Sequence, residues 1–388
     1  MKAATDLTAR LESSTSVTPQ DLQALAKLRD PLGNAVSFYF SHTTTASKAH
    51  REELIAIRGL IQEKMNGLPT GSASAPLSHD LADLLALAEE IRLTPNRLHI
   101  VFADRSMHVW QQLDLPVISP QSSLYLDQRF HLAPLMRAVQ SMAPYSVVLL
   151  ESGKARVFVV RGTEIHEVPE QASNEDLSLH AEDSRVGWSK HIEGGQRELE
   201  KTYFKELLQQ LQQFLSKQRI GRLVIGCRED LWGEIEPQFA ALEKSVLIGR
   251  FHLPSFAASA AEILQIARPL FEASQRARVD TLLQEISETP SRGSYGVEQV
   301  LQILAEAGAQ KVVLGMQSAQ SIHECSACGH MMPDSVQACA FCGSSDLLDI
   351  PAEEGIIRQA LLSGAEILFA ETSAHEGFKD VAALLRHG

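Results

Sequence analysis

The sequence predicts a mixed α/β protein made of three α/β domains in a row, the third carrying a small cysteine-rich minidomain. Three observations lead there. Short apolar runs alternate along the chain with segments whose apolar residues recur every three or four positions, the pattern of sheets covered by helices. The 388 residues suffice for two or three domains, each with its own core. Two Cys-x-x-Cys-Gly units, Cys325–Gly329 and Cys339–Gly343, stand close together near the C-terminal end.

Composition narrows the class. A hydrophobic fraction of 44% and a charged fraction of 21% describe an ordinary globular chain. No apolar run approaches the roughly 18 residues of a membrane span. The start, Met1-Lys-Ala-Ala-Thr-Asp, lacks the apolar core of a secretory signal. Of the five cysteines four are clustered, which argues against a disulfide framework and suits a reducing compartment. The expected location is therefore cytoplasmic, with no membrane partner. A net charge of −13 gives no general attraction to nucleic acid, so any RNA contact must come from a local basic patch or from shape.

The elements follow in order. Thr18-Pro-Gln-Asp21 spells a helix start, with Thr as N-cap, Pro at the first helical position and an acid at the third. Leu22, Leu25, Ala26 and Leu28 supply its apolar face. Ala35–Phe40 reads as a strand, 46–65 as a helix with Leu54, Ile57, Leu60 and Ile61 on one side, and 78–92 as another helix. Leu98–Phe102 and Met107–Trp110 read as paired strands. The first domain is expected to span 1–142. In the second, 143–275, Ser146–Leu150 and Ala155–Val160 form a hairpin and Ile165–Val168 a third strand. A long helix then carries Leu199, Tyr203, Phe204, Leu207, Leu208, Leu211 and Leu215. Arg222–Gly226 and Val246–Phe251 are further strands, and a long helix covers about 257–287. The third domain, 276–388, is expected to run helix 295–304, strand 311–315, minidomain at about 322–348, helix 355–362, strand 366–370 and a final helix over 377–386.

Two motifs carry chemistry. Cys325, Cys328, Cys339 and Cys342 form two Cys-x-x-Cys-Gly knuckles. Each short spacing turns two thiolates toward one ion, and four thiolates match the closed tetrahedral shell of structural zinc, about one ion per chain. No ligand position stays open, so the zinc holds structure. His323 and His330 are bystanders, and Cys227 is a small buried hydrophobe. The second motif is Gly194-Gly195-Gln196, between a strand-rich region and the long helix. Adjacent glycines let another molecule approach the backbone, and glutamine offers a donor and an acceptor on an uncharged arm. Such a loop can hold an ester and a water, or simply make a turn.

The order of features resembles the archaeal and eukaryotic class I peptide chain release factors and their relative Pelota, in the Balon-like bacterial branch of that family. The segments that carry it are Ser122–His131, Ser189–Gln196 with its helix, Leu247-Ile-Gly-Arg-Phe251, Tyr295–Glu298 and Gly377–Arg386. The resemblance implies a tRNA-shaped, monomeric protein that enters the ribosomal A site. The first domain would face the decoding centre and the middle domain the peptidyl-transferase centre. The third would meet a translational GTPase, such as elongation factor Tu, and the base of the stalk. Its chemistry would be hydrolysis of the peptidyl-tRNA ester, with Gly194, Gly195 and Gln196 as the catalytic loop. Lys190, His191, Arg197, Lys201 and Lys205 would meet RNA, or the cations among them form a solvated helix face.

Departures from the family pattern matter. Family members that read stop codons carry Asn-Ile-Lys-Ser, where this chain has Thr44-Thr-Ala-Ser-Lys48-Ala, and the cysteine of the Tyr-x-Cys decoding motif is Asp127. Stop-codon reading is not expected. Ile192-Glu193 replaces the usual basic-glycine pair, and Glu198 and Glu200 follow the motif, placing carboxylates where rRNA would lie. Two functions therefore stand side by side: a peptidyl-tRNA hydrolase that rescues ribosomes, and a non-catalytic hibernation factor that occupies the A site of idle ones.

Overall fold

The computed structural model describes residues 17–42, 47–67, 75–90, 97–117, 122–151, 154–168, 193–239, 246–253, 255–315, 320–370, 378 and 380–386. Side chains at 42, 47–50, 88–90, 193–202 and 238 lie outside that description. The chain divides into two compact units, one joining Met1–Ser141 to Arg278–Gly388 and the other spanning Met142–Ala277. No helix among the described residues is long and apolar enough to cross a membrane.

Helix α1 (Pro19–Lys27) starts as its sequence spells. The Thr18 hydroxyl accepts the Asp21 N–H at 3.3 Å and the Asp21 carboxylate accepts the Thr18 N–H at 2.9 Å, a reciprocal capping box. Strands β1 (Ala35–His42), β2 (Arg97–Asp104), β3 (Val109–Leu115) and β4 (Ser123–Asp127) make an antiparallel sheet in the order β3-β2-β1-β4. Alternation sends Val36, Phe38, Phe40, Val101 and Ala103 to one face. There α2 (Ser47–Asn66) and α3 (Ala75–Glu90) cover them with Ile57, Ile61, Leu77, Leu81 and Leu84. A short helix, α4 (Ala133–Ser141), follows β4. It has no counterpart in the sequence reading, because much of what holds its first turn comes from more than 200 residues away.

The middle unit is a three-layer α/β/α domain. Its sheet runs β7-β6-β5-β8-β9, with β5 (Tyr145–Glu151), β6 (Lys154–Arg161) and β7 (Glu164–Glu167) antiparallel. Strands β8 (Leu223–Cys227) and β9 (Leu247–His252) are parallel to β5. Val148, Leu150, Val157, Leu223, Ile225 and Cys227 face α5 (Glu193–Gln218) and α6 (Glu229–Phe239). Val147, Leu149, Phe158, Val160 and Val224 face the start of α7 (Ala260–Glu288) through Ile263, Ala267 and Phe271. Cys227 is fully buried, and burial pushes its thiol up to about 11, as expected of a packing residue. Gly226 permits the close approach of β9. A Cβ there would lie 2.5 Å from Phe251 Cζ and 2.8 Å from Leu149 Cδ2. Gly226→Ala should therefore cost about 1–3 kcal/mol of overpacking, read as a lower urea midpoint; an unchanged midpoint would show that the two side chains move aside freely.

The C-terminal part of the first unit is built on a second sheet, ordered β10-β16-β11-β15, from β10 (Gly293–Tyr295), β11 (Ala309–Gly315), β15 (Glu366–Ala370) and β16 (Val381–Leu385). The last turns of α7 pack Val279, Leu282, Leu283 and Ile286 on one face of it. Helices α8 (Val297–Ala305) and α9 (Ala352–Ser363) complete this part. Between β11 and α9 the chain makes a three-stranded ribbon, β13-β12-β14, from β12 (Ser321–Cys325), β13 (Met331–Pro333) and β14 (Leu347–Pro351).

Two expectations are corrected here. The final helix over 377–386 is instead strand β16 over Val381–Leu385, antiparallel to both β10 and β11. Val381, Ala382, Ala383 and Leu384 are all buried, so this run fills an inner strand with both faces covered; Ala and Leu favour helix only where packing does not decide. Tyr295 ends strand β10, and the helix begins at Val297 after Gly296.

Candidate functional site

The middle unit positions the first candidate. Helix α5 anchors itself by Tyr203, Phe204, Leu207, Leu208, Leu211, Phe214 and Leu215, all buried against the sheet. Its described span begins at Glu193, so Gly194, Gly195 and Gln196 fall in its first turn rather than in a loop ahead of it. A first turn has N–H groups without helical partners and the positive end of the helix dipole. Two adjacent glycines favour helix less than other residues would, by about 1 kcal/mol each relative to alanine in a helix interior. Trp188, Ser189, Lys190, His191 and Ile192 lie outside the described residues, as do the side chains of Gly194, Gly195, Gln196, Arg197 and Lys201. Lys205, further along α5, is exposed. The stretch Thr44–Ser47 is likewise outside, except for the start of α2 at Ser47.

The second candidate is the cysteine cluster. The ligand atoms of Cys325, Cys328, Cys339 and Cys342 all lie within 4.8 Å of one another. Two of the sulfur pairs, Cys325–Cys342 and Cys328–Cys339, are 3.5 Å apart. A tetrahedral ion with bonds of about 2.3 Å needs sulfurs roughly 3.8 Å apart, so the cluster fits a metal ion. Each knuckle closes by the same hydrogen bond, Gly329 N–H to Cys325 O and Gly343 N–H to Cys339 O, both at 2.8 Å. Both glycines have positive φ, +74° and +77°, which side-chain-bearing residues rarely adopt. The backbone N–H of Cys328, foremost, and that of Ala327 hold the Cys325 thiol down to about 7, while Cys328, despite the His330 N–H, is pushed up to about 12 by desolvation and the sulfurs beside it. His323 is occupied elsewhere: Nδ1 lies 3.0 Å from Val336 O and Nε2 lies 2.8 Å from Asp349.

The third feature was not foreseen as a unit. Segment 122–131, one of those carrying the family resemblance, is tied into the C-terminal part by buried charges. Arg129 donates from Nε to Glu324 Oε1 at 2.8 Å, and Arg358 donates from Nη1 to Glu324 Oε2 at 2.7 Å. Glu324 is 1% exposed, so two guanidiniums share one desolvated carboxylate. Glu354 of α9 accepts the N–H groups of Leu132 and Ala133 at 2.8 and 3.0 Å, capping the start of α4. His131 places Nε2 3.2 Å from Asp127 and Nδ1 3.5 Å from Glu354, with its ring stacked 4.4 Å from Tyr125. Arg29 joins in, donating to Gln128 Oε1 and to Ser326 O. The sequence held a signal for part of this: Glu324 shares a face of β12 with buried Ile322, two residues before it, and Arg358 sits among Ile356, Ile357 and Ala360 on α9.

These groups set a pH dependence. Burial alone would lower His131, but the hydrogen bonds to Asp127 and Glu354 outweigh it and raise it from 6.5 to about 9. The folded state then holds a proton that the unfolded chain releases above pH 6.5, so this stabilisation is complete below 6.5 and lost as pH climbs through 9. Burial pushes Glu353 from 4.5 to about 7 despite its pairing with Arg137, and this also makes stability fall as pH rises from 4.5 to 7. Thermal midpoints of this unit should decline between about pH 5 and 9, and His131→Gln should flatten the upper half of the decline. Midpoints that climb to pH 8 would contradict it.

The middle unit is thus an α/β/α domain with a glycine-rich helix start above a mixed sheet. Residues 131–272 match the family model described as bacterial archaeo-eukaryotic release factor family 10. Over that segment the chain is similar to bacterial release-factor proteins of the archaeo-eukaryotic type, in line with the sequence resemblance. No curated protein matches it. Among solved structures it is similar to an archaeal translation termination factor, aRF1, at 11% identity and TM-score 0.25, covering 97% of this chain and 100% of that one. Archaeoglobus fulgidus Pelota gives 13%, 0.36, 97% and 94%, and S. cerevisiae Dom34 gives 10%, 0.38, 75% and 79% in the same order.

Proposed function

We propose that the chain is a ribosome-associated translation factor that enters the A site and hydrolyses the peptidyl-tRNA ester without reading a stop codon. The observation that carries this is the position of Gly194-Gly195-Gln196: at the start of α5, inside the segment that matches the release-factor family. Two glycines let this turn open and enter a narrow RNA cavity. Gln196 would orient a water whose oxygen attacks the ester carbonyl carbon. The bond to the terminal adenosine oxygen breaks, that oxygen takes up a proton, and a backbone N–H stabilises the developing oxyanion. Lys190, His191, Arg197, Lys201 and Lys205 would lie along phosphates. Residues 1–142 would face the decoding centre, 143–275 the peptidyl-transferase centre, and 276–388 a translational GTPase such as elongation factor Tu. Zinc at the four cysteines would hold the ribbon as a structural ion.

The absence of codon reading is supported by the engagement of segment 122–131. Asp127 is bonded to His131, Gln128 to Arg29, and Arg129 to Glu324, so these side chains are committed within the protein. The hibernation reading is favoured by the carboxylates of Glu193, Glu198 and Glu200 around the motif. Ribosomes carrying labelled peptidyl-tRNA and an empty A site distinguish the two. Peptide release supports hydrolysis; tight binding that leaves the ester intact supports hibernation; failure to bind refutes both.

A further inference from the structure

The outer end of the ribbon presents chemistry that neither the proposed catalysis nor the metal explains. Residues 321–350 contain no Lys or Arg, while Asp334 and Asp346 are exposed and Asp349, also exposed, pairs with His323. Four thiolates around one divalent ion add a net charge of about −2. Within this anionic surface Phe341 sits between the ligands Cys339 and Cys342 and is 79% exposed, ahead of Leu32 at 69% and Ile55 at 59%. Its place is set: the ring lies 6.1 Å from that of His330 at an interplanar angle of 28°, so an aromatic of the second knuckle leans on the first. Asp346 is brought beside the first knuckle by the bond from Ser326 N–H to its carbonyl at 3.0 Å. Cys328 and Cys342 are also exposed, so the thiolate charge reaches the surface.

We propose that this end of the ribbon docks on a basic face of a protein partner, with an arginine or lysine cation over the Phe341 ring and neighbouring cations paired with the exposed aspartates. An aromatic face attracts a cation through its quadrupole, and surrounding carboxylates strengthen that field and steer the encounter. The same field repels phosphate, and the segment lacks the cations that nucleic-acid binding requires. Within the proposed ribosomal role, on which this inference rests, the ribbon meets ribosomal protein and not rRNA. Apolar contact alone would not select such a partner, because the aromatic stands by itself among acids and polar residues.

The test replaces Phe341→p-benzoylphenylalanine in the full chain, a change at an exposed ring that leaves all four cysteines in place, and checks that the metal content equals that of the parent. The chain is bound to purified ribosomes, irradiated, and the cross-linked species resolved. The expected result is cross-linking to a basic ribosomal protein, reduced about fivefold or more by raising salt from low to several hundred millimolar and similarly by combined Asp334→Asn and Asp346→Asn. Phe341→Ala should weaken ribosome binding roughly tenfold. A chain that sediments with ribosomes but cross-links to rRNA, or to nothing, overturns this inference and leaves the proposed function standing. A chain that does not sediment with ribosomes overturns both.

Discussion

Loss of the metal is expected to unfold the ribbon while leaving the middle unit intact. Around the cysteines the buried residues are Cys325, Met332 and Cys339, with Val336 and Leu347 partly buried against them, and the strands add Ile322, Met331 and Ile350, buried beside Gly355 of α9. So few apolar side chains cannot offset the ordering of a three-stranded sheet of this size. Structural zinc contributes about 10–16 kcal/mol in small zinc-dependent peptides, far more than such a core supplies. Cys325→Ser should therefore abolish tight binding of about one zinc per chain. Amide protection should be lost across Ser321–Cys325 and Leu347–Pro351, with Tyr145–Glu151 and Leu223–Cys227 unchanged. A purified parent chain without zinc, or a variant with undiminished ribbon protection, would contradict the metal assignment. Because Glu324 adjoins Cys325, the loss should also loosen the charge network of its unit.

Removing the carboxylate at the centre of that network is the second large effect. Glu324→Ala leaves Arg358, 5% exposed, and Arg129, its side chain 16% exposed, without the carboxylate they share. Breaking a buried ion set from one side costs about 3–5 kcal/mol, mostly because the remaining charges stay desolvated. Replacing the whole set together, as Arg129→Met, Glu324→Leu and Arg358→Met, should restore most of the loss, since well-packed apolar groups often match a buried ion triad. Denaturant unfolding of the single and triple variants checks this. Equal destabilisation by both would mean that the network acts through shape and not through charge. The same network holds segment 122–133 in place: Arg129 reaches Glu324, and Glu354 reaches the backbone of Leu132 and Ala133.

Local patterns made much of the fold legible. The Thr18–Asp21 capping box, the hairpin at 145–161 and the long helix ahead of Ile220 follow from near-neighbour chemistry, and each forms as read. The four cysteines were equally legible, since two-residue spacers constrain where a thiolate can point. What escaped depends on partners far along the chain. Strand β16 reads as helix because Ala and Leu favour one locally; its burial between β10 and β11 decides otherwise. Helix α4 needs Glu354 at its N-terminus, 221 residues beyond Ala133. The charge network around Glu324 joins residues from 29 to 358, and only the apolar neighbours of Glu324 and Arg358 mark any of its charges as buried. For the Gly-Gly-Gln motif, sequence located the residues, and the fold adds that they open a helix whose buried face fixes where that opening lies.

The central claim, that this helix start is an ester hydrolase, is tested most directly by single-turnover release from ribosomes with labelled peptidyl-tRNA in the P site and no codon-specific substrate in the A site. The account predicts release by the parent chain irrespective of the A-site codon, with a fall of about a hundredfold or more in Gln196→Ala and undiminished ribosome binding. Release that survives Gln196→Ala unchanged, or a parent chain that binds fully and releases nothing, would contradict it.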